Sequence, residues 1–408
     1  MSARESTCEE STAAVRAFYE RHPYPEPLTD LSGYRERWEK GSRRRAEYHL
    51  LWPHKEYRSD IEVLVAGCGT SQAARHALRE PGSKVTGIDV SEASLAHTRS
   101  LQQQHGIDNL ELLQLNLEEV DSLGRRFDKI VCTGVLHHLP DPDAGLRALR
   151  GALKPGGVMQ LMVYATYGRT GIYMFQEFSR LLGVRPSESD LADLAATIGA
   201  VSNDHPLAFL MRQARDFRSA PALADALLNP QDRAYTVPQL YDWLERCDCS
   251  FGRWTLQAPY LANCGAVAQT PHAERLSALP APQQHAALEL FRGTMATHEF
   301  SAWAKDEAAS APAIRFDDES VLDLVPIRVS GTVTVTERLP AGAAAVLINP
   351  RHHHTDIYLP IDAAEKKLLN AINGRRSVAS LLRKQANARD FIERLWQYDQ
   401  IVFDASAT

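Results

Sequence analysis

The chain is poor in cysteine, and the cysteines it has are scattered. Its 408 residues include six, which are Cys8, Cys68, Cys132, Cys247, Cys249 and Cys264. Their spacing provides neither a disulfide framework nor the pattern of a tetrahedral metal site, even at the closest pair, Cys247 and Cys249. We therefore expect free thiols in a reducing compartment and no bound metal.

Long apolar runs and excess positive charge are also missing. No uncharged stretch is long enough to cross a membrane, and the N-terminal residues lack the apolar segment of a signal peptide. We expect cytoplasmic residence and no membrane partner. The formal net charge of -6 argues against a nucleic-acid partner, although a local patch at Arg43–Arg45 stays open. The run His352–His354 fits a polar loop better than a metal site, because no acidic or cysteine pair accompanies it.

Short β-branched runs alternate with amphipathic helical stretches from residue 61 onward. The strands are predicted at 61–66, 84–89, 110–115, 129–135 and 158–164. Such alternation predicts a parallel sheet covered by helices on both faces, which is a doubly wound α/β fold. Ser91 is predicted to cap the helix after the second strand, and the Pro-Gly-Gly stretch 155–157 to end the helix before the fifth strand.

The sequence as a whole predicts three segments. Residues 1–60 are predicted to form a helical and strap-like segment that caps the site. Residues 61–306 form the main domain, with a helical insertion at about 168–248 before a last antiparallel strand pair. Residues 307–408 are predicted to form a small α+β accessory domain, reminiscent of a winged helix, after an Ala- and Ser-rich linker at 306–313.

A glycine pair and one acid give the clearest sign of a ligand. Gly67 and Gly69 follow the first strand, and Asp89 ends the next strand about 20 residues further on, where a carboxylate can accept both hydroxyls of a ribose. A dinucleotide fingerprint needs a third glycine at the position of Gln72. The pattern therefore favours a cofactor with adenosine but without pyrophosphate. The alternatives are that the two glycines only form a tight turn between strand and helix, without a ligand, and that Asp89 only caps the following helix.

Five motifs in order resemble those of the class I S-adenosylmethionine-dependent methyltransferases. They are "VLVAGCGTS", "VTGIDVS", "LQLNLEEV", "FDKIVCTGVLHHLPDP" and "LKPGGVMQLMVY", within residues 61–165. The resemblance covers about a quarter of the chain. It implies a Rossmann-like, mostly parallel seven-stranded sheet and S-adenosyl-L-methionine as cofactor.

The resemblance also implies roles for individual residues. The cofactor-binding residues would be Ala66, Gly67, Cys68, Gly69, Asp89, Val90, Asn116, Leu117, Gly134 and Val135. Gly67 and Gly69 would pass the methionine part, and Asp89 would hold the ribose. Asn116 stands where many members have Asp, so we expect weakened contact with the adenine amino group.

The acceptor side is predicted to hold the catalytic residues. His137 and His138 would face the acceptor, and Tyr24, in the rigid "HPYPEP" segment, would close over the cofactor. The alternatives without a catalytic role are that a histidine of this pair packs against the core and that the N-terminal segment packs on the exterior of the domain. Methyl transfer requires a general base only when the acceptor is protonated, so the sequence does not single one out.

These observations predict a methyltransferase that acts on a small-molecule or protein acceptor. The alternatives are a catalytically silent cofactor-binding scaffold and a tRNA methyltransferase, while an oxidoreductase on the same sheet would bind nicotinamide. Assembly as a homodimer stays open.

Overall fold

The computed structural model describes residues 13, 15–22, 25–213, 219–306, 314–382 and 388–407. The chain divides into two compact units. Unit 1 comprises residues 1–36, 59–251 and 293–305, and unit 2 comprises residues 37–58, 252–292 and 306–408. Residues 37–58 and 252–292 thus group with the C-terminal residues in this division.

The strands within the described ranges are β1 (Glu62–Ala66), β2 (Lys84–Asp89), β3 (Leu110–Gln114), β4 (Phe127–Thr133), β5 (Leu153–Ala165), β6 (Ala234–Tyr235), β7 (Cys249–Trp254), β8 (Thr297–Ala304), β9 (Val325–Arg328), β10 (Val333–Val335), β11 (Ala345–Ile348), β12 (Leu359–Ile361) and β13 (Ile401–Asp404). The α-helices are α1 (Ser32–Trp38), α2 (Gly41–Leu51), α3 (Gln72–Arg79), α4 (Glu92–Gln104), α5 (Pro142–Gly151), α6 (Thr170–Leu182), α7 (Glu188–Gly199), α8 (Pro206–Gln213), α9 (Ala220–Leu228), α10 (Val237–Arg246), α11 (Ala273–Ser277), α12 (Ala281–Arg292), α13 (Ala363–Ala371), α14 (Val378–Leu382) and α15 (Ala388–Gln397).

Unit 1 is built on a mostly parallel sheet, as the alternating pattern predicts. Its strand order is β3-β2-β1-β4-β5-β8-β7, with the short β6 beside β5. Strands β1 to β5 pair in parallel, and β8 runs antiparallel to β5. The residues Val63–Ala66 are buried on both faces of the sheet. Helices cover both faces of such a strand, so it reads as a continuous apolar run.

The glycines of the "LKPGG" stretch serve a strand, in contrast to the predicted turn. Helix α5 already ends at Gly151, and β5 begins at Leu153, before the glycines. Gly156 has a left-handed φ of 68°, and the register between β4 and β5 shifts between Phe127 and Lys129. A bulge of this kind uses a glycine to keep the strand paired while it bends. The predicted cap at Ser91 is confirmed, because its side chain accepts a hydrogen bond from the Ser94 N–H.

The helical insertion has its own apolar core. Helices α6 to α9 contribute buried residues to one cluster, which also contains Phe18 from the N-terminal segment. Unit 2 contains a three-stranded antiparallel sheet, β10-β11-β12, and the antiparallel pair β9 and β13. Helices α13 to α15 pack on these strands around Phe391, Ile392 and Leu395. No helix within the described ranges is long and apolar enough to cross a membrane.

Candidate functional site

The glycine turn after β1 is tightly packed. Gly67 and Gly69 have φ angles of 65° and 53°, which side chains rarely adopt. A Cβ on Gly67 would lie 2.3 Å from Cγ2 of Val135, so only glycine fits there. Between them, Cys68 is fully buried, and burial raises the pKa of its thiol well above the ordinary value. Cys68 is therefore an inert packing residue, although its backbone belongs to the turn.

Asp89 lies against this turn at the end of β2. Its two carboxylate oxygens accept hydrogen bonds from the Gly69 N–H at 2.8 Å and the Ser91 N–H at 2.9 Å. Burial raises the pKa of Asp89, and these two donors act in the opposite direction. Since Ser91 caps α4 itself, Asp89 is not the helix cap that the alternative interpretation required. The neighbouring Val90 accepts a hydrogen bond at its carbonyl from Gln114.

The segments after β3 and β4 bring further predicted residues to the same edge of the sheet. Asn116 caps the short 3₁₀ helix 117–123, and its Oδ1 accepts from the Glu118 N–H at 3.3 Å. Leu117 is buried. Gly134 has a φ of 79°, and Val135 covers Gly67 as described above. Parallel strands end at one edge, which is why these separate motifs meet there.

His137 is buried beside β5 with unused hydrogen-bonding capacity. Its ring lies 3.8 Å from the ring of Tyr164, measured between centroids. Neither ring nitrogen has a hydrogen-bond partner within the described ranges. Burial, followed by His138 and Arg169, lowers the pKa of His137 well below its ordinary value, so the ring is neutral at pH 7. His138 contacts the Gln231 carbonyl through Nδ1, while its Nε2 is likewise without a partner there.

Tyr164 is the centre of a buried polar cluster that the sequence analysis missed. The guanidinium carbon of Arg169 lies 3.4 Å from the centroid of the Tyr164 ring. An imidazole and a guanidinium at these distances cannot share one face, so Tyr164 lies between His137 and Arg169. Arg169 donates to Asp232 at 2.8 Å, and both side chains are almost fully buried. Oδ1 of Asp232 has no partner among the described residues.

The N-terminal segment reaches the same cluster. The Tyr19 hydroxyl donates to Asp225 at 2.8 Å, and the Tyr164 hydroxyl lies 3.3 Å from the other oxygen of Asp225. Glu20 accepts hydrogen bonds from the first backbone N–H groups of α4. Tyr24, the predicted catalytic residue of this segment, lies outside the described residues. Tyr19, Tyr164 and Asp225 lie far apart in the sequence, so no local pattern indicated this cluster.

No group of three metal-ligating side chains capable of holding an ion occurs within the described ranges. The rings of His352 and His354 are 6.1 Å apart, and burial lowers the pKa of each to about 4. The free cysteines that the structure describes are all buried.

Comparison with known sequences gives one domain assignment and several relatives. Residues 64–159 match the family model described as "Methyltransferase domain". An uncharacterized protein of Synechococcus sp. is 34% identical over 252 residues, which are 59% of this chain and 59% of that protein. The ubiquinone biosynthesis O-methyltransferase of Pseudomonas entomophila is 37% identical over 97 residues, which are 24% of this chain and 41% of that enzyme. The chain thus spans less than two thirds of the length of these relatives.

Among solved structures, the fold is similar to PKMT2 from Rickettsia typhi. The complex of PKMT2 with AdoHcy gives a TM-score of 0.61 at 16% identity and covers 93% of this chain and 77% of that chain. The structure of PKMT2 described without AdoHcy gives 0.60 at 15% identity, with 90% and 75% covered. At such identities the likeness concerns the fold. The family model thus identifies a methyltransferase domain at residues 64–159, and the likeness to PKMT2 confirms the Rossmann-like fold that the five motifs predicted.

Proposed function

We propose that the protein binds S-adenosyl-L-methionine in unit 1 and transfers its methyl group to a small-molecule or protein acceptor. The observation that carries this proposal is the Asp89 carboxylate, which the Gly69 and Ser91 N–H groups hold at the edge of the sheet. A carboxylate has about four acceptor positions. The Gly69 and Ser91 N–H groups use two of these positions and the Val90 N–H also acts on the carboxylate, which leaves acceptor capacity for ribose hydroxyls.

The residues present fit the cofactor. Gly67 and Gly69 keep the turn free of side chains, which would leave room for the methionine part of the cofactor. The backbone of Ala66 and Cys68 would lie beside it. Val90, Asn116 and Leu117 would flank the adenine, and Gly134 and Val135 would line the sulfonium side. When bound, S-adenosylmethionine supplies a methyl group already attached to a good leaving group. The protein's contribution is to hold acceptor and methyl in line, an alignment worth about 7–11 kcal/mol.

We assign the acceptor side to the buried cluster around Tyr164. His137 has neutral nitrogens without a partner within the described ranges, so it can accept a proton from an acceptor hydroxyl or amine. The Tyr164 ring packs against this imidazole at a tilt of 34°, and Arg169 packs on Tyr164, so the two side chains restrict the orientation of His137. His138 and Tyr24 stay in the proposed catalytic set. We further propose that unit 1 is the catalytic domain and unit 2 the accessory domain, and that the protein is cytoplasmic.

Calorimetric titration with S-adenosylmethionine and, separately, with its demethylated product tests the cofactor site. We expect micromolar binding of both by the full chain. Absence of binding by folded protein would refute the proposal. Binding without transfer of a labelled methyl group to any small-molecule, protein or tRNA acceptor would favour the silent scaffold instead.

The proposed role of His137 has its own test. His137→Gln should lower the rate of methyl transfer while cofactor affinity stays within about twofold, because the cofactor contacts other residues. His97→Gln, on the exposed face of α4, is the matched control. A His137→Gln variant with full activity at saturating acceptor would remove His137 from the catalytic set.

A further inference from the structure

Helix α6 of unit 1 has apolar residues on two separate faces. One face carries Ile172 and Phe175, which are buried in the apolar core of the helical insertion. The other face is exposed to solvent, and we call its four large apolar residues the α6 stripe: Met174, Phe178, Leu181 and Leu182. A surface helix needs one apolar face to pack on its own domain. A second apolar face therefore indicates a second packing surface.

The α6 stripe is continuous and large. Its residues follow one another at intervals of four, three and one positions, and residues three and four positions apart are neighbours on one helix face. Between 39% and 71% of each residue is exposed. With about 200 Å² for a large side chain, the stripe exposes roughly 400 Å² of apolar surface. A standard interface buries about 800 Å² on each partner, so the stripe amounts to about half of one, and polar residues around it supply the rest.

The charges beside the α6 stripe make this face complementary to itself. Glu177 and Arg180 are both exposed, and Arg180 donates to Glu177 at 2.7 Å. When two copies of a helix pack antiparallel across a two-fold axis, residues before the axis lie opposite residues after it. With the axis close to Phe178, Glu177 lies opposite the partner's Arg180, and Met174 lies opposite the partner's Leu182. A parallel pair would instead bring the two Glu177 carboxylates together.

We propose that the protein forms a homodimer in which two copies of α6 pack antiparallel through the α6 stripe. The apolar contact supplies the affinity, and the charged residues set the orientation, since exposed ion pairs contribute little free energy. This dimer does not depend on the proposed function. Helix α6 contacts Arg169 and Asp232 of the buried cluster through Tyr173 and Gln176, which are not part of the stripe.

Sedimentation velocity of the full chain over a series of concentrations tests the dimer. The mass should rise from 45.4 kDa to twice this value as the concentration passes through the micromolar range, because the apolar area is below that of a standard interface. A protein that stays at 45.4 kDa at every concentration would overturn the proposal. If that monomer binds phosphatidylcholine vesicles, the stripe is a contact for lipid and not for a second copy.

Two variants locate the interface. Leu181 is the most exposed residue of the α6 stripe, so Leu181→Glu should fold normally and raise the dissociation constant of the dimer at least tenfold. Leu290→Glu changes an exposed leucine of α12 in unit 2 and is the matched control, which should dimerise as the unaltered protein does. A dimer that Leu181→Glu leaves intact, or that both variants weaken equally, does not form through the stripe.

Charge reversal tests the antiparallel orientation. Glu177→Arg brings two positive charges together at each end of the contact and should weaken the dimer at least twofold. Adding Arg180→Glu makes the opposed charges opposite in sign again and should restore the affinity. A double variant that dimerises more weakly than Glu177→Arg alone would rule out the antiparallel pairing.

Discussion

Asp89→Asn replaces one carboxylate oxygen with an NH₂ group and is the sharpest test of the cofactor site. In the native protein each oxygen accepts one backbone N–H, from Gly69 or from Ser91. The amide can satisfy only one of these donors, and its NH₂ group then faces the other. Leaving a buried donor without a partner costs about 1–3 kcal/mol. The variant should therefore fold, with a free energy of unfolding lower by about that amount.

The loss of cofactor affinity should lie in the upper part of the same range of free energy. Hydrogen bonds to a charged group contribute about 1.5–3 kcal/mol, and neutral ones about 0.5–1.5 kcal/mol. Two ribose hydroxyls that lose a charged acceptor would together cost about 2–3 kcal/mol, which corresponds to a dissociation constant raised about 30- to 150-fold. Titration calorimetry with S-adenosylmethionine measures it, and urea unfolding measures the stability.

Asp121→Asn is the matched control, because Asp121 is an exposed acid of unit 1 outside the site. It should leave both quantities unchanged. If Asp89→Asn binds the cofactor with the affinity of the unaltered protein while its stability falls as expected, then Asp89 is a structural residue of the turn. The assignment of the ribose to this carboxylate would then be refuted.

The other predictions concern packing, a buried ion pair and pH. Gly67→Ala should destabilise unit 1, because the new Cβ would meet Val135 and the φ of 65° disfavours alanine. Val135→Ala in the same chain should restore only the part of the stability that the steric clash removes, as measured by urea unfolding of the single and double variants. Full restoration of the stability would contradict the contribution of φ. Arg169→Met leaves Asp232 as a buried charge without its cation and should lower the free energy of unfolding by about 3–5 kcal/mol. Adding Asp232→Leu should recover most of this loss. Equal stabilities for Arg169→Met and the double variant would contradict the argument. Burial lowers the pKa of His285 to about 4, so the unfolded chain, with an ordinary pKa of about 6.5, binds the proton first as the pH falls. The stability that the neutral His285 ring contributes is thus present above about pH 6.5 and is lost as the pH falls toward 4. His285→Phe should flatten the dependence of the free energy of unfolding on pH over this interval. An unchanged dependence on pH would contradict the prediction.

The parallel sheet and the meeting of the glycine turn with Asp89 at its edge could be predicted because the information is local. A buried parallel strand reads as an apolar run, as at Val63–Ala66, and the helix that follows β2 begins at its own cap, Ser91. Gly67 follows β1 and Asp89 ends the neighbouring strand β2, so their meeting follows from the order of the sheet. The "LKPGG" prediction was wrong because two glycines suit a bulge as well as a turn, and only pairing with β4 decides between them.

The buried cluster around Tyr164 and the long-range contacts of unit 2 needed the tertiary structure. Tyr19 and Asp225 are separated by 206 positions in the sequence and His138 and Gln231 by 93, yet each pair is in hydrogen-bond contact. Arg45 and Asp404, which are 359 positions apart, form an ion pair within unit 2. No spacing rule reaches across such distances, because these contacts depend on how whole helices and strands pack their apolar faces. The sequence by itself determined the alternation of strands and helices in the parallel sheet and the glycine and acid motifs, whereas packing decided where β5 begins and which polar side chains are buried together.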